Sequence, residues 1–156
     1  MPDARALTSV ADHPLIRQLL SLRLAPDDLV IFGSAPLLAW GMRDRISDLD
    51  VVARGAAWRR ACELGDCLTR ADSGTEMVRF CDGLIEISTA WITPRWGADE
   101  LIDHADVIGG IRFARLDQVL AYKQYLRRPK DLSDIAAIEQ LIGATTPGST
   151  GEGTPW

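Results

Sequence analysis

Leu15, Leu19 and Leu22 recur at spacings of four and three, while Arg17 and Arg23 fall on the other side of the same stretch. That period predicts an amphipathic helix over residues 12 to 24. Pro26-Asp27-Asp28 breaks it, and the unbroken apolar run Leu29-Val30-Ile31-Phe32 then predicts a buried strand running into a turn at Gly33. A short helix over 35 to 42, a strand over 49 to 53 and a helix over 55 to 65 follow. Met77-Val78-Arg79-Phe80-Cys81 and Leu84-Ile85-Glu86-Ile87-Ser88 flank Asp82-Gly83, the pattern of a β-hairpin. Residues 99 to 104 suit a short helix. Val107 to Phe113, interrupted by Gly109-Gly110, suits a bent strand or two strand fragments, and helices over 116 to 127 and about 131 to 142 close the pattern. The order predicts an α+β (α/β) domain over residues 1 to 143, a mixed β-sheet flanked by helices with a closing C-terminal helix pair. Residues 144 to 156, rich in Gly, Thr, Pro and Ser, read as a disordered tail.

Chemistry concentrates where the first two strands end and begin. Gly33 permits positive φ and close approach of a ligand to the backbone. Ser34 stands where a helix N-cap belongs, with Pro36 in the first turn. Free amides at such a junction favour an anion such as phosphate. Asp48-Leu49-Asp50 then opens the next strand, and residues i and i+2 of a strand share a face. Two parallel carboxylates repel unless a cation lies between them, and hard oxygen donors suit Mg²⁺.

Two further positions break the apolar pattern. Glu86 lies between Ile85 and Ile87, so it must meet a cation or water. Lys123 falls on the stripe formed by Leu116, Val119, Leu120 and Leu126, and needs an escape to solvent or an anionic partner. Beyond it come Arg127-Arg128-Pro129-Lys130, then Asp131 and Asp134. Asp131 is a natural N-cap for the last helix, and Asp134 an acid in its first turn.

The order strand, Gly33-Ser34, short helix, basic loop (Arg43, Asp44, Arg45), then Asp48-Leu49-Asp50 on a strand resembles the signature of the nucleotidyltransferase fold shared with DNA polymerase β. Lys123 to Arg128 followed by Lys130-Asp131-Leu132-Ser133-Asp134 is similar to a segment of the AbiEii-like toxin nucleotidyltransferases. Aminoglycoside and lincosamide nucleotidyltransferases show a comparable arrangement. The resemblance covers roughly residues 29 to 140. It departs from the family pattern at Gly33-Ser34, where many relatives carry Gly-Gly, and the chain is shorter than the larger toxins.

The resemblance implies transfer of an NMP group from an NTP to an acceptor hydroxyl, with release of pyrophosphate. Asp48, Asp50 and Glu86 would hold two Mg²⁺ ions, Glu86 serving as the third carboxylate. Gly33, Ser34, Lys123, Arg127, Lys130 and Asp131 would contact the nucleotide phosphates or support that contact. Glu86 or Asp134 would assist in deprotonating the acceptor, which could be a tRNA, a protein or a small molecule. The alternative reading is a non-catalytic module of the same fold, an antitoxin-like partner or a nucleotide sensor.

Composition narrows the setting. The 47% hydrophobic and 25% charged fractions over 156 residues are those of an ordinary globular domain. No apolar run approaches the ~20 residues that span a bilayer, and no signal-peptide pattern opens the chain, so a cytoplasmic protein with no membrane partner is expected. A net charge of −5 argues against broad duplex DNA binding. Three cysteines, Cys62, Cys67 and Cys81, lack Cys-x-x-Cys spacing, which argues against a disulfide framework or zinc site. His13 and His104 have no metal-motif spacing.

Overall fold

A computed structural model describes residues 10–71, 74–90 and 97–145. The chain divides into two compact units, Met1–Arg115 and Leu116–Trp156. The first is a mixed sheet with helices. Its elements are α1 (Pro14–Ser21), β1 (Leu29–Phe32), α2 (Ala35–Ala39), β2 (Leu49–Ala53), α3 (Gly55–Leu64), β3 (Cys67–Thr69), β4 (Glu76–Phe80), β5 (Ile85–Ser88), α4 (Ala98–Asp103), β6 (Asp106–Ile108) and β7 (Ile111–Phe113). The second contains α5 (Leu116–Leu126), a 3-10 turn (Pro129–Asp131) and α6 (Leu132–Thr145). The fold class is therefore mixed α/β. The tail expected to be disordered lies, from residue 146 on, outside the described residues.

Seven strands form one open sheet in the order β3-β4-β5-β2-β1-β7-β6. β2 runs antiparallel to β1 and parallel to β5, while β7 runs parallel to β1. Parallel pairing of β2 and β5 requires a long crossover, supplied by α3, β3 and β4. Gly109-Gly110 gives two strand fragments: both glycines take positive φ and turn β6 into an antiparallel β7.

The two faces of the central strands have different loads. Leu29, Ile31, Leu49, Val51, Ile85, Ile87 and Val78 alternate onto one face and join Leu15, Ile16 and Leu19 of α1 and Ala57 and Ala61 of α3 in the main core. Val30, Phe32 and Val52 alternate onto the other face and are also fully buried. α4 contacts β1 and β2 and buries Leu101 and Ile102. Two-sided burial explains why Leu29–Phe32 reads as a continuous apolar run.

Three local expectations are corrected. The hairpin loop is wider than Asp82-Gly83, running from Cys81 to Leu84, with Cys81, Asp82 and Gly83 all at positive φ. Ser34 precedes α2 in an αR conformation and makes no side-chain cap hydrogen bond, because a cap needs extended backbone to reach back. β3 was not expected from the pattern: its three residues are all exposed at the sheet edge and show no alternation.

Charged groups fasten the first unit. Arg54 donates to Asp99 at 2.7 Å and to Asp103 at 2.9 Å, both on α4, and contacts Asp28 at 3.4 Å. Asp28 in turn accepts from the Ala56 backbone N–H at the start of α3. His13, given no role by spacing, caps α1: its Nδ1 accepts from the Leu15 N–H at 3.2 Å. That bond needs a neutral ring, and burial lowers the His13 pKa.

Candidate functional site

The sheet register builds the site. Phe32 is the Cα partner of Asp50, Asp50 of Glu86, and Glu86 of Arg79. Directly opposed residues share a face, so Phe32, Asp50, Glu86 and Arg79 form one row across four adjacent strands. With strands ~4.8 Å apart, the acidic pair Asp50 and Glu86 are immediate neighbours. Glu86 thus lies beside Asp50 on the next strand.

Gly33 follows the end of this row. Its φ is +73°, and a Cβ placed on it would sit 2.8 Å from Asp50 Oδ2. No side chain fits between the turn and the carboxylate. The pattern apolar run, Gly, short helix, Asp-x-Asp therefore has a physical basis in this chain: the Asp50 carboxylate packs against bare backbone. Asp48 lies one residue before β2 and is exposed, as are Asp44, Arg45 and Ser47 in the loop before it, while Ile46 is buried. Arg43, Asp44, Arg45, Ile46 and Ser47 of that loop line a shallow, open concavity.

Glu86 does not stand free beside Asp50. Its Oε1 accepts from Arg70 Nη2, and its Oε2 from Arg79 Nε at 3.3 Å. Among the described residues no group of three or more His, Cys, Asp or Glu side chains is placed to hold a metal. The donor set still suits one ion class. Mg²⁺ is commonly bound through one or two carboxylates, substrate phosphates and several waters, without an all-protein cage. Asp48 and Asp50 are carboxylates of that kind, and Glu86 is bonded to two arginines.

No family model matches the chain, and neither does any curated protein or solved structure. The chemistry of the site must be read from its own residues.

The second unit carries the other sequence-derived candidates, and here the lysine finds its partners. Lys123 is only 2% exposed, and its Nζ lies 3.1 Å from Asp134 Oδ2 and 3.3 Å from Asp131 Oδ1. Arg128 forks onto Asp131 through Nε at 2.7 Å and Nη2 at 3.0 Å, and the Arg128 backbone N–H adds a third bond at 3.1 Å. Asp131 ends the 3-10 turn and its side chain accepts from the N–H of Arg128, the residue that precedes the turn. Burial alone would raise its pKa, but the Arg128 hydrogen bonds and the Lys123 charge hold it below the ordinary carboxylate value. The position of Lys123 on an apolar stripe is accounted for by these carboxylates, without a triphosphate. Arg127 is exposed, at the positive-φ end of α5, and Lys130 is exposed in the 3-10 turn.

Sequence reasoning missed Arg70 and Arg79. Arg79 was legible in principle: continuing the hairpin register outward from Phe80 and Ile85 places it opposite Glu86. Arg70, just past the end of β3, has no such signal, since nothing in the pattern marked that strand.

Proposed function

We propose that the first unit is a metal-dependent nucleotidyltransferase site of the polymerase-β-like type. The observation that carries this reading is the contact of the Asp50 carboxylate with the Gly33 backbone, at the junction of a buried strand and a short helix. The strand order supports it as well, since the Asp50 strand lies between the Gly33 strand and the strand bearing Glu86.

The residues divide the work as follows. The Gly33-Ser34 turn lets the Asp50 carboxylate approach the backbone closely, because no Cβ intervenes. Asp48 and Asp50 would hold Mg²⁺, which neutralises the triphosphate and lowers the pKa of an acceptor hydroxyl. Asp50, fixed by its packing on Gly33, orients its carboxylate without rotamer loss on binding. No nucleophilic Ser, Cys or His is required, since positioning and charge neutralisation supply most of the catalysis.

The engagement of Glu86 by two arginines favours a second reading, a nucleotide-binding module that does not turn over. Asp50→Asn separates the two. Incubating wild type and variant with each labelled NTP, Mg²⁺ and fractionated lysate should show label transfer by wild type alone, at unchanged circular dichroism. Tight Mg·NTP binding by wild type with no labelled product in any fraction would favour the module. Equal Mg·NTP binding by Asp50→Asn would sink the metal-site assignment itself.

A further inference from the structure

We propose that Arg70 and Arg79, held in place by Glu86, form a phosphate-binding subsite next to Asp50, and that Glu86 is a positioning residue for these arginines, not a metal ligand. This rests on the nucleotidyltransferase reading of the Asp48 and Asp50 site and deepens it by assigning the residues that receive the triphosphate.

The charge balance carries the argument. A single carboxylate is matched by a single cation, yet Glu86 faces two guanidinium groups, one on each oxygen. Both oxygens are engaged by donors, so a metal would have to displace an arginine to bind there. Glu86, Arg70 and Arg79 together carry one positive charge beyond neutrality, which the neighbouring Asp50 offsets only while no cation is bound there. With a cation on Asp50 the row becomes net positive and attracts an anion.

Donor geometry points the same way. Arg70 contacts the carboxylate through Nη2 and Arg79 through Nε, whereas a guanidinium carries five N–H donors in a rigid fork. Each arginine therefore keeps donors for a second oxyanion, and Arg is the side chain best matched to phosphate. The Arg79 and Asp50 backbones are two strand spacings apart, roughly 10 Å. The face thus presents an acidic end that holds a cation and a basic end that holds the anion the cation accompanies. A protein of net charge −5 has particular need of such a local positive patch to receive a triphosphate.

The test uses the full chain and two probes, inorganic tripolyphosphate and Mn²⁺, with binding followed by titration calorimetry and by electron paramagnetic resonance. The double variant Arg70→Gln/Arg79→Gln should bind tripolyphosphate at least ten-fold more weakly than wild type, with Mn²⁺ affinity unchanged. Glu86→Gln should leave Mn²⁺ affinity within two-fold and weaken tripolyphosphate, because the arginines lose their anchor. Arg79→Lys keeps the charge but not the fork, and should recover only part of the affinity. Tripolyphosphate binding within two-fold of wild type in the double variant overturns the inference. So does a loss of Mn²⁺ binding in Glu86→Gln equal to that in Asp50→Asn, which would make Glu86 a metal ligand. Failure of the underlying reading looks different: Mn²⁺ binding would then be indifferent to Asp50→Asn, whatever the arginine variants do.

Discussion

Asp50 Oδ2 lies where it would be 2.8 Å from a Cβ on Gly33, which ties the carboxylate of one strand to the turn ending its neighbour. Gly33→Ala should therefore be destabilised on two counts, the positive φ and the contact, by about 1 to 3 kcal/mol in urea titration. The same variant should bind Mn²⁺ more weakly, since the carboxylate must move aside. Unchanged stability and unchanged Mn²⁺ affinity together would show that Asp50 is not held by the turn.

Removing Lys123 should be among the most damaging single changes in the second unit. Lys123→Met takes the ammonium partner from a buried Asp134, while Asp131 keeps its Arg128 fork, and losing one partner of a buried ion pair costs about 3 to 5 kcal/mol. Adding Asp134→Leu to Lys123→Met should restore much of that stability, because the buried carboxylate that lost its ammonium is removed as well. If the double variant proves no more stable than the single one in urea, the cluster is not the source of the loss.

Acid should unlock the same cluster. The Asp131 pKa is held below its ordinary value of 3.8 in the folded protein, so the unfolded chain takes up the proton first and stability falls as pH falls. The Asp131 contribution is fully present above about pH 5 and is lost as pH drops through 3.8 toward the folded pKa. Asp131→Asn should be less stable at pH 7 and lose less stability between pH 5 and pH 3 than wild type. Parallel stability curves for the two proteins would rule this out.

The three thiols should differ in reactivity. Burial, reinforced by the neighbouring Cys67, pushes the Cys62 thiol up to about 11, whereas Cys67 and Cys81 are exposed. Thiolate is the reactive form. Iodoacetamide at pH 7.5 should label Cys67 and Cys81 first, with Cys62 accelerating only as pH approaches 11. Peptide mapping that finds Cys62 labelled earliest at neutral pH would contradict the burial argument.

The sequence by itself determined the strands other than β3 and the order of the site. The continuous apolar run at Leu29–Phe32 can be satisfied only by two-sided burial, and the Gly33 and Asp50 motif is local to the segments that carry it. It also marked Glu86 and Lys123 as charges in need of partners, since a single polar side chain in an apolar pattern is visible without any structure. What those partners are, only the tertiary structure decided. Lys123 meets Asp131 and Asp134 because α5 packs on α6. Glu86 meets Arg70 from sixteen residues upstream because β3, β4 and β5 align in one register. Hydrophobic period is a property of neighbouring residues along the chain, whereas charge pairing depends on which strands come to lie side by side, and that is set by the packing of the whole sheet.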